Sequence, residues 1–99
     1  MGDGESGRDG GRATEAAGEL DVSVILPAFD EEAALGDDLD AVHAAMSRTR
    51  YRHEIIVVDD GSTDRTADIA RERPWVRLLQ HPYNRGNGAA RTTGTRAAL

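Results

Sequence analysis

Two adjacent carboxylates stand where a buried strand is predicted to end. Asp59 and Asp60 follow the apolar residues 55–58 and precede Gly61 and Ser62. A continuous apolar run is typical of a parallel strand covered on both faces, and open parallel sheets bind ligands beyond the carboxyl ends of their strands. Here the carboxylates could accept a base N–H or a ribose hydroxyl, or help to hold a divalent cation. An ordinary turn is the alternative, because Asp-Asp-Gly-Ser is also good turn chemistry.

Two other segments carry groups that could meet the same ligand. Glu31 lies just beyond residues 22–26, a β-branched stretch that predicts a strand stopped by Pro27. Arg85 precedes Gly86 and Gly88, where a helix N-terminus and an arginine could contact a phosphate. The third glycine of a dinucleotide fingerprint is missing, so a plain helix-entry loop stays open as an alternative. Glu31 likewise suits the first turn of a helix.

The elements that would position these groups alternate along the chain. Residues 22–26, 54–59 and 76–80 predict strands. Between the first two, Asp30 suits a helix N-cap, and apolar residues recur at helical spacing at Leu35, Leu39, Val42 and Met46. Ser62 or Thr63 could cap a short second helix, and a third begins near Gly88. The order β-α-β-α-β-α predicts an α/β fold with a doubly wound, mostly parallel sheet. All three predicted site loops then lie at one sheet edge.

Composition narrows the class of protein. The chain has 99 residues, a net charge of −6 and no cysteine. The negative charge argues against nucleic acid as a partner, and no apolar run is long enough for a membrane span. Residues 1–20 are rich in glycine and hold few large apolar side chains, so we expect a disordered tail before a domain at 21–99. A cytoplasmic location follows as the default. The three histidines lack metal-ligand spacing and predict surface or structural roles.

Three segments in this order resemble the start of a family 2 glycosyltransferase. They are residues 24–32 (VILPAFDEE), residues 56–64 (IVVDDGSTD) and residues 84–91 (NRGNGAAR). The third is similar to the branch that glycosylates dolichyl or other polyprenyl phosphates, and Asp30 stands where asparagine is commoner. The resemblance implies the A-type glycosyltransferase fold, whose Rossmann-like first half binds a UDP- or GDP-sugar. Its acceptor would be a lipid phosphate or a saccharide.

The resemblance also implies roles for individual residues. Asp59 would recognise the base, and Asp60 and Gly61 would shape the pocket wall. The remaining site residues would line the pocket or border the sugar nucleotide: Pro27, Phe29, Glu31, Arg85 and Gly86. Members of the family bind Mg²⁺ or Mn²⁺ through an Asp-x-Asp motif and use a carboxylate base, and neither is recognisable here. We therefore expect no catalytic or metal-ligating residue in this chain, which would be an amino-terminal part of a longer enzyme.

Two other functions fit parts of the sequence. A noncatalytic nucleotide-binding fragment would need only the predicted pocket. A receiver-like signalling domain also places paired aspartates after a parallel strand, but after its first strand, whereas here the pair follows the second. The order of the motifs therefore favours the transferase.

Overall fold

Three strands and three helices alternate through residues 19–98, the part of the chain that the computed structural model describes. They are β1 (Val22–Ala28), α1 (Leu35–Ser47), β2 (His53–Asp59), α2 (Thr66–Arg71), β3 (Val76–Gln80) and α3 (Asn87–Ala97). The predicted α/β class and element order are confirmed. The predicted disordered tail lies outside the described residues, apart from residues 19 and 20.

The central strand of the sheet is β2, which pairs in parallel with β1 on one side and β3 on the other. Its residues 55–58 are at most 1% exposed, which accounts for the uninterrupted apolar run. In the strand register Ala28 lies beside Asp59, and Asp59 lies beside Gln80. The three strands therefore end at the same level, and the loops that follow them meet at one edge.

Alternate residues of β2 contribute to two separate cores. Ile55 and Val57 pack with α1 and α2 on one face, whereas Ile56 and Val58 pack with α3 on the other. This division follows from the strand geometry, because successive side chains point to opposite faces of a sheet. Helices thus cover both faces, which confirms the predicted start of a doubly wound fold.

The connection between β1 and α1 differs from the prediction. β1 continues through Pro27 to Ala28, since proline is tolerated in a strand at the edge of a sheet. The prediction of Asp30 as a helix N-cap is wrong, because α1 begins only at Leu35. Asp30 instead has a left-handed backbone with φ 48°, and its Oδ1 accepts the Thr63 amide at 2.9 Å. A contact with a distant loop thus replaces local capping.

The start of α2 also differs from the prediction. We predicted Ser62 or Thr63 as the cap, but the helix begins at Thr66. Asp64 Oδ1 accepts the Thr66 amide at 2.9 Å and the Thr66 hydroxyl as well. These bonds, led by the hydroxyl, hold the pKa of Asp64 below its usual value. Asp64, which precedes the N-cap residue Arg65, therefore accepts from an amide of the first turn in place of Ser62 or Thr63.

Close packing of α3 on the sheet depends on Gly94. A Cβ at this position would lie 2.4 Å from Ile25 Cγ2 and 3.3 Å from Val58 Cγ2. We expect Gly94→Ala to lower the free energy of unfolding by about 1–3 kcal/mol, as extra methyl groups in a packed core do. Urea unfolding followed by circular dichroism measures the change. Gly88→Ala, also in α3, is the control because its Cβ would meet no atom within 4 Å. Equal losses in the two variants would contradict this packing.

Candidate functional site

A cleft of about 620 Å³ opens at the carboxyl ends of the strands, where three loops meet. Loop 1 comprises residues 29–34, loop 2 residues 60–65 and loop 3 residues 81–86. The cleft is lined by residues of β1, the three loops and α3: Pro27, Ala28, Phe29, Glu31, Asp60, Asn84, Gly86, Asn87, Ala90 and Arg91. Its volume is within the range of small-molecule sites. We call it the edge cleft.

Asp60 is the buried carboxylate of the edge cleft, with a relative exposure of 3%. Its Oδ1 accepts the Arg85 amide at 2.9 Å and lies 2.7 Å from His81 Nδ1, and its Oδ2 accepts the Gly86 amide at 2.8 Å. The His81 bond, followed by the Arg85 and Gly86 amides, holds the pKa of Asp60 below its usual value. An ionised carboxylate has about four acceptor positions, and these contacts from the described residues take up three of them.

Asp59, the last residue of β2, points away from the edge cleft that Asp60 lines. It is 2% exposed, and its Oδ1 accepts the Ser62 amide at 3.1 Å while its Oδ2 accepts from Gln80 Nε2 at 3.5 Å. Asp59 and Gly61 line a second depression of about 460 Å³, which does not include the lining of the edge cleft. Of the two carboxylates, Asp60 is the one that faces the edge cleft. The base-recognition role of Asp59 stays a prediction.

Reciprocal hydrogen bonds hold loops 1 and 2 together. The Asp30 amide donates to Ser62 Oγ at 2.9 Å, while the Thr63 amide donates back to Asp30 Oδ1. The Arg65 amide donates to Glu32 Oε1 at 2.9 Å. Each of these bonds joins a backbone amide of one loop to a side chain of the other. Together they fix the position of loop 1, and with it Phe29 and Glu31, at the cleft.

Loops 2 and 3 approach each other at Gly61. This residue has φ 78°, and a Cβ there would lie 2.4 Å from the Tyr83 carbonyl carbon and 2.5 Å from the Asn84 nitrogen. Such a distance to backbone atoms leaves no room for any side chain. Gly61 therefore shapes the site by letting the two loops pack backbone to backbone, although it does not line the edge cleft itself.

The residues that line the edge cleft lie within a segment that matches a protein-family profile. A profile described as Glycosyl transferase family 2 matches residues 23–99. The chain belongs to glycosyltransferase family 2.

Two curated relatives of this family 2 chain act on polyprenyl phosphates, as their names state. It is 40% identical over 70 residues to an undecaprenyl-phosphate 4-deoxy-4-formamido-L-arabinose transferase from Edwardsiella ictaluri, covering 68% of the chain and 22% of that protein. It is 38% identical over 80 residues to a dodecaprenyl-phosphate galacturonate synthase from Rhizobium johnstonii, covering 76% and 24%. The family 2 chain thus spans about a quarter of the length of these relatives.

A solved structure with the same fold is a mannosyltransferase from Pyrobaculum calidifontis in complex with GDP-Man and Mn²⁺. It superposes with a TM-score of 0.69 at 28% sequence identity, covering 82% of the family 2 chain and 25% of the mannosyltransferase. The likeness supports the predicted A-type glycosyltransferase fold, of which the three parallel strands form the beginning.

The structure brings five of the eight predicted site residues into the lining of the edge cleft: Pro27, Phe29, Glu31, Asp60 and Gly86. Arg85 contributes its amide to Asp60, and Asp59 and Gly61 lie in the second depression. Among residues 19–98, no group of three or more His, Cys, Asp and Glu side chains is arranged to hold a metal ion.

Two residues in or next to the edge cleft were not among the predicted site residues. Arg91 lines the cleft from α3. His81, predicted to have a surface or structural role, is 7% exposed and bonds Asp60 directly. The contact between His81 and Asp60 could have been predicted from the strand register. That register places Asp59 beside Gln80 and hence Asp60 next to His81.

None of the helices within residues 19–98 combines the length and the apolar character that crossing a membrane requires.

Proposed function

We propose that this chain forms the nucleotide-sugar-binding half of a glycosyltransferase that uses a UDP- or GDP-sugar and a polyprenyl-phosphate acceptor. The observation that carries the proposal is the edge cleft, which unites the three family segments at the carboxyl ends of parallel strands. Open α/β sheets bind nucleotides at this position. The acceptor class rests on the relatives' names and on the likeness of the third segment.

The walls of the edge cleft offer groups for the base, the ribose and the diphosphate of a sugar nucleotide. Phe29 is 44% exposed and presents an aromatic surface on which a base could stack. Asp60 keeps an acceptor position for a base or ribose donor. The first helical bond of α3 runs from the Ala90 amide to the Gly86 carbonyl. The amides of residues 87–89, which precede it, and the Arg91 side chain suit a diphosphate. The chain would thus bind and orient the donor.

A divalent cation, when bound, neutralises charge on a departing nucleotide diphosphate. The described residues do not supply a fitting ligand set, and we assign the cation to no residue of this chain. The catalytic base and the acceptor site are likewise assigned to no residue here. What this half contributes is binding energy and orientation of the donor.

Titration of the ¹⁵N-labelled chain with GDP and UDP, with and without Mn²⁺, tests the proposal. We expect amide shifts to move in loops 1, 2 and 3 and at the start of α3. Arg91→Gln should weaken diphosphate binding about tenfold while leaving nucleoside binding nearly unchanged. Arg96→Gln is the matched control, since Arg96 is an exposed arginine in the last turn of the same helix. A folded chain whose spectrum ignores millimolar nucleotide contradicts the proposal.

A further inference from the structure

A chain of side-chain hydrogen bonds runs behind the edge cleft from loop 2 to α3. His81 Nδ1 lies 2.7 Å from Asp60 Oδ1, and His81 Nε2 lies 2.7 Å from Thr93 Oγ1. His81 is 7% exposed and is absent from the lining of the edge cleft. It lines the second depression instead, so it touches the residue that faces the edge cleft without facing that cleft itself.

The two partners of His81 determine which nitrogen of its ring donates a hydrogen bond and which accepts one. An ionised carboxylate can only accept, so Nδ1 must carry the proton that it donates to Asp60. In the neutral imidazole, Nε2 then accepts from the Thr93 hydroxyl. Each ring nitrogen has one polar neighbour, and the ring is consequently held between the ends of β2 and β3 and the middle of α3.

The same contact fixes the plane of the Asp60 carboxylate. Oδ1 is shared by His81 and the Arg85 amide, while Oδ2 takes the Gly86 amide. The two amides belong to the far end of loop 3, whereas His81 is the first residue of that loop, directly follows β3 and is tied to α3 through Thr93. His81 is thus the anchor of the carboxylate on the rigid part of the fold.

We propose that His81 is a positioning residue for the nucleotide site, which holds Asp60 so that its carboxylate clamps loop 3 and keeps one acceptor position toward the cleft. This rests on the proposed function. Without the histidine bond the carboxylate would rotate about its Cβ–Cγ bond, and the Arg85 and Gly86 amides would lose their fixed acceptor. The loop that borders the diphosphate would then loosen.

A purely structural role for His81, filling volume beneath α3, makes a different prediction. The side chains of asparagine and glutamine reproduce different halves of the imidazole. His81→Asn places an amide near the position of Nδ1 and can still donate to Asp60, whereas His81→Gln reaches toward Nε2 and Thr93 instead. Glutamine is closer to histidine in volume. Packing alone therefore favours His81→Gln, and positioning of Asp60 favours His81→Asn.

The test measures both variants and the natural chain by titration with GDP and UDP and by hydrogen exchange at the Gly86 amide. We expect His81→Gln to raise the dissociation constant about tenfold and to accelerate Gly86 exchange. His81→Asn should bind within about threefold of the natural chain and retain Gly86 protection. Equal behaviour of the two variants, or better binding by His81→Gln, overturns the proposal.

A second pair keeps the test decisive if His81→Asn does not fold. Thr93→Ser retains the hydroxyl that holds the ring, and Thr93→Val removes it at nearly constant shape. Faster Gly86 exchange in Thr93→Val but not in Thr93→Ser supports positioning, and equal exchange overturns it. Because exchange is measured without ligand, failure of the natural chain to bind nucleotide would refute the proposed function separately.

Discussion

Gly61→Ala is expected to destabilise the chain by at least about 2 kcal/mol and to abolish nucleotide binding. Two costs combine. The backbone at φ 78° is strained for any residue with a Cβ, and that Cβ would lie 2.4 Å from the Tyr83 carbonyl carbon. Since the nearest atoms are backbone, no side-chain rotation can relieve the overlap. Loop 3 would have to move away from loop 2, and Asp60 would then lose its contacts with the Arg85 and Gly86 amides.

Gly86→Ala separates these two costs. Gly86 also has a positive φ of 97°, but its Cβ would meet no atom within 4 Å. Its φ of 97° with ψ 157° is a conformation nearly confined to glycine, so this variant should lose stability only through backbone strain, about 1–3 kcal/mol. Urea unfolding of both variants, with GDP and UDP titrations of whichever is folded, makes the comparison. A Gly61→Ala variant that loses less than about 2 kcal/mol and keeps nucleotide binding would show that loops 2 and 3 do not depend on close backbone packing.

The sheet could be predicted from sequence because its signals are strong and local. Residues 55–58 form a continuous apolar run, and this run is the central strand covered on both faces. Parallel strands with helical crossovers must end at one edge, which is why the three predicted site loops meet. The bounds predicted for the third strand, residues 76–80, are also those of β3.

The loop conformations were less predictable because long-range contacts override local preferences. Asp30 has the residue type of a helix cap, yet bonds to Ser62 and Thr63 hold it in a left-handed conformation. Capping preferences describe an isolated helix end, and here the two loops satisfy each other's amides instead. The pairing partner of a loop cannot be inferred from its own residues.

The choice between the two aspartates follows from the pleat of β2. Ile56 and Val58 point toward α3, and Asp60 continues their alternation, since its amide still donates to Ala28 O at 2.8 Å. Asp59 continues the alternation of Ile55 and Val57, which point toward α1 and α2. The edge cleft is bordered by α3, and so it receives Asp60. Predicting this required knowing which face α3 covers.

Asp60→Asn is expected to weaken nucleotide binding at least about tenfold and to lower stability at neutral pH. The shape of the side chain is kept, but one acceptor oxygen becomes an NH₂ group. Either orientation of the amide then points a donor at a donor, because His81 and the Arg85 and Gly86 amides surround the carboxylate. Nucleotide titration and urea unfolding at pH 7 measure the two effects, with Asp38→Asn on the exposed face of α1 as the control for lost charge.

The acid dependence of stability gives Asp60→Asn a second, independent signature. The His81 bond, with the two loop 3 amides, lowers the folded-state pKa of Asp60 below the ordinary value of 3.8. A lowered carboxyl pKa contributes stability above the unfolded-state value, and this contribution is lost as the pH falls through the folded-state pKa. As the pH falls from 5 to the folded-state pKa, the natural chain should therefore lose more stability than Asp60→Asn. The slopes of unfolding free energy against pH for the two proteins should differ by up to the equivalent of about one bound proton. The Asp40 and Asp64 carboxyls, whose pKa values are also lowered, remain in both proteins and cancel in the comparison. Parallel curves for the two proteins would mean that the carboxylate of Asp60 is not what holds loop 3 in place.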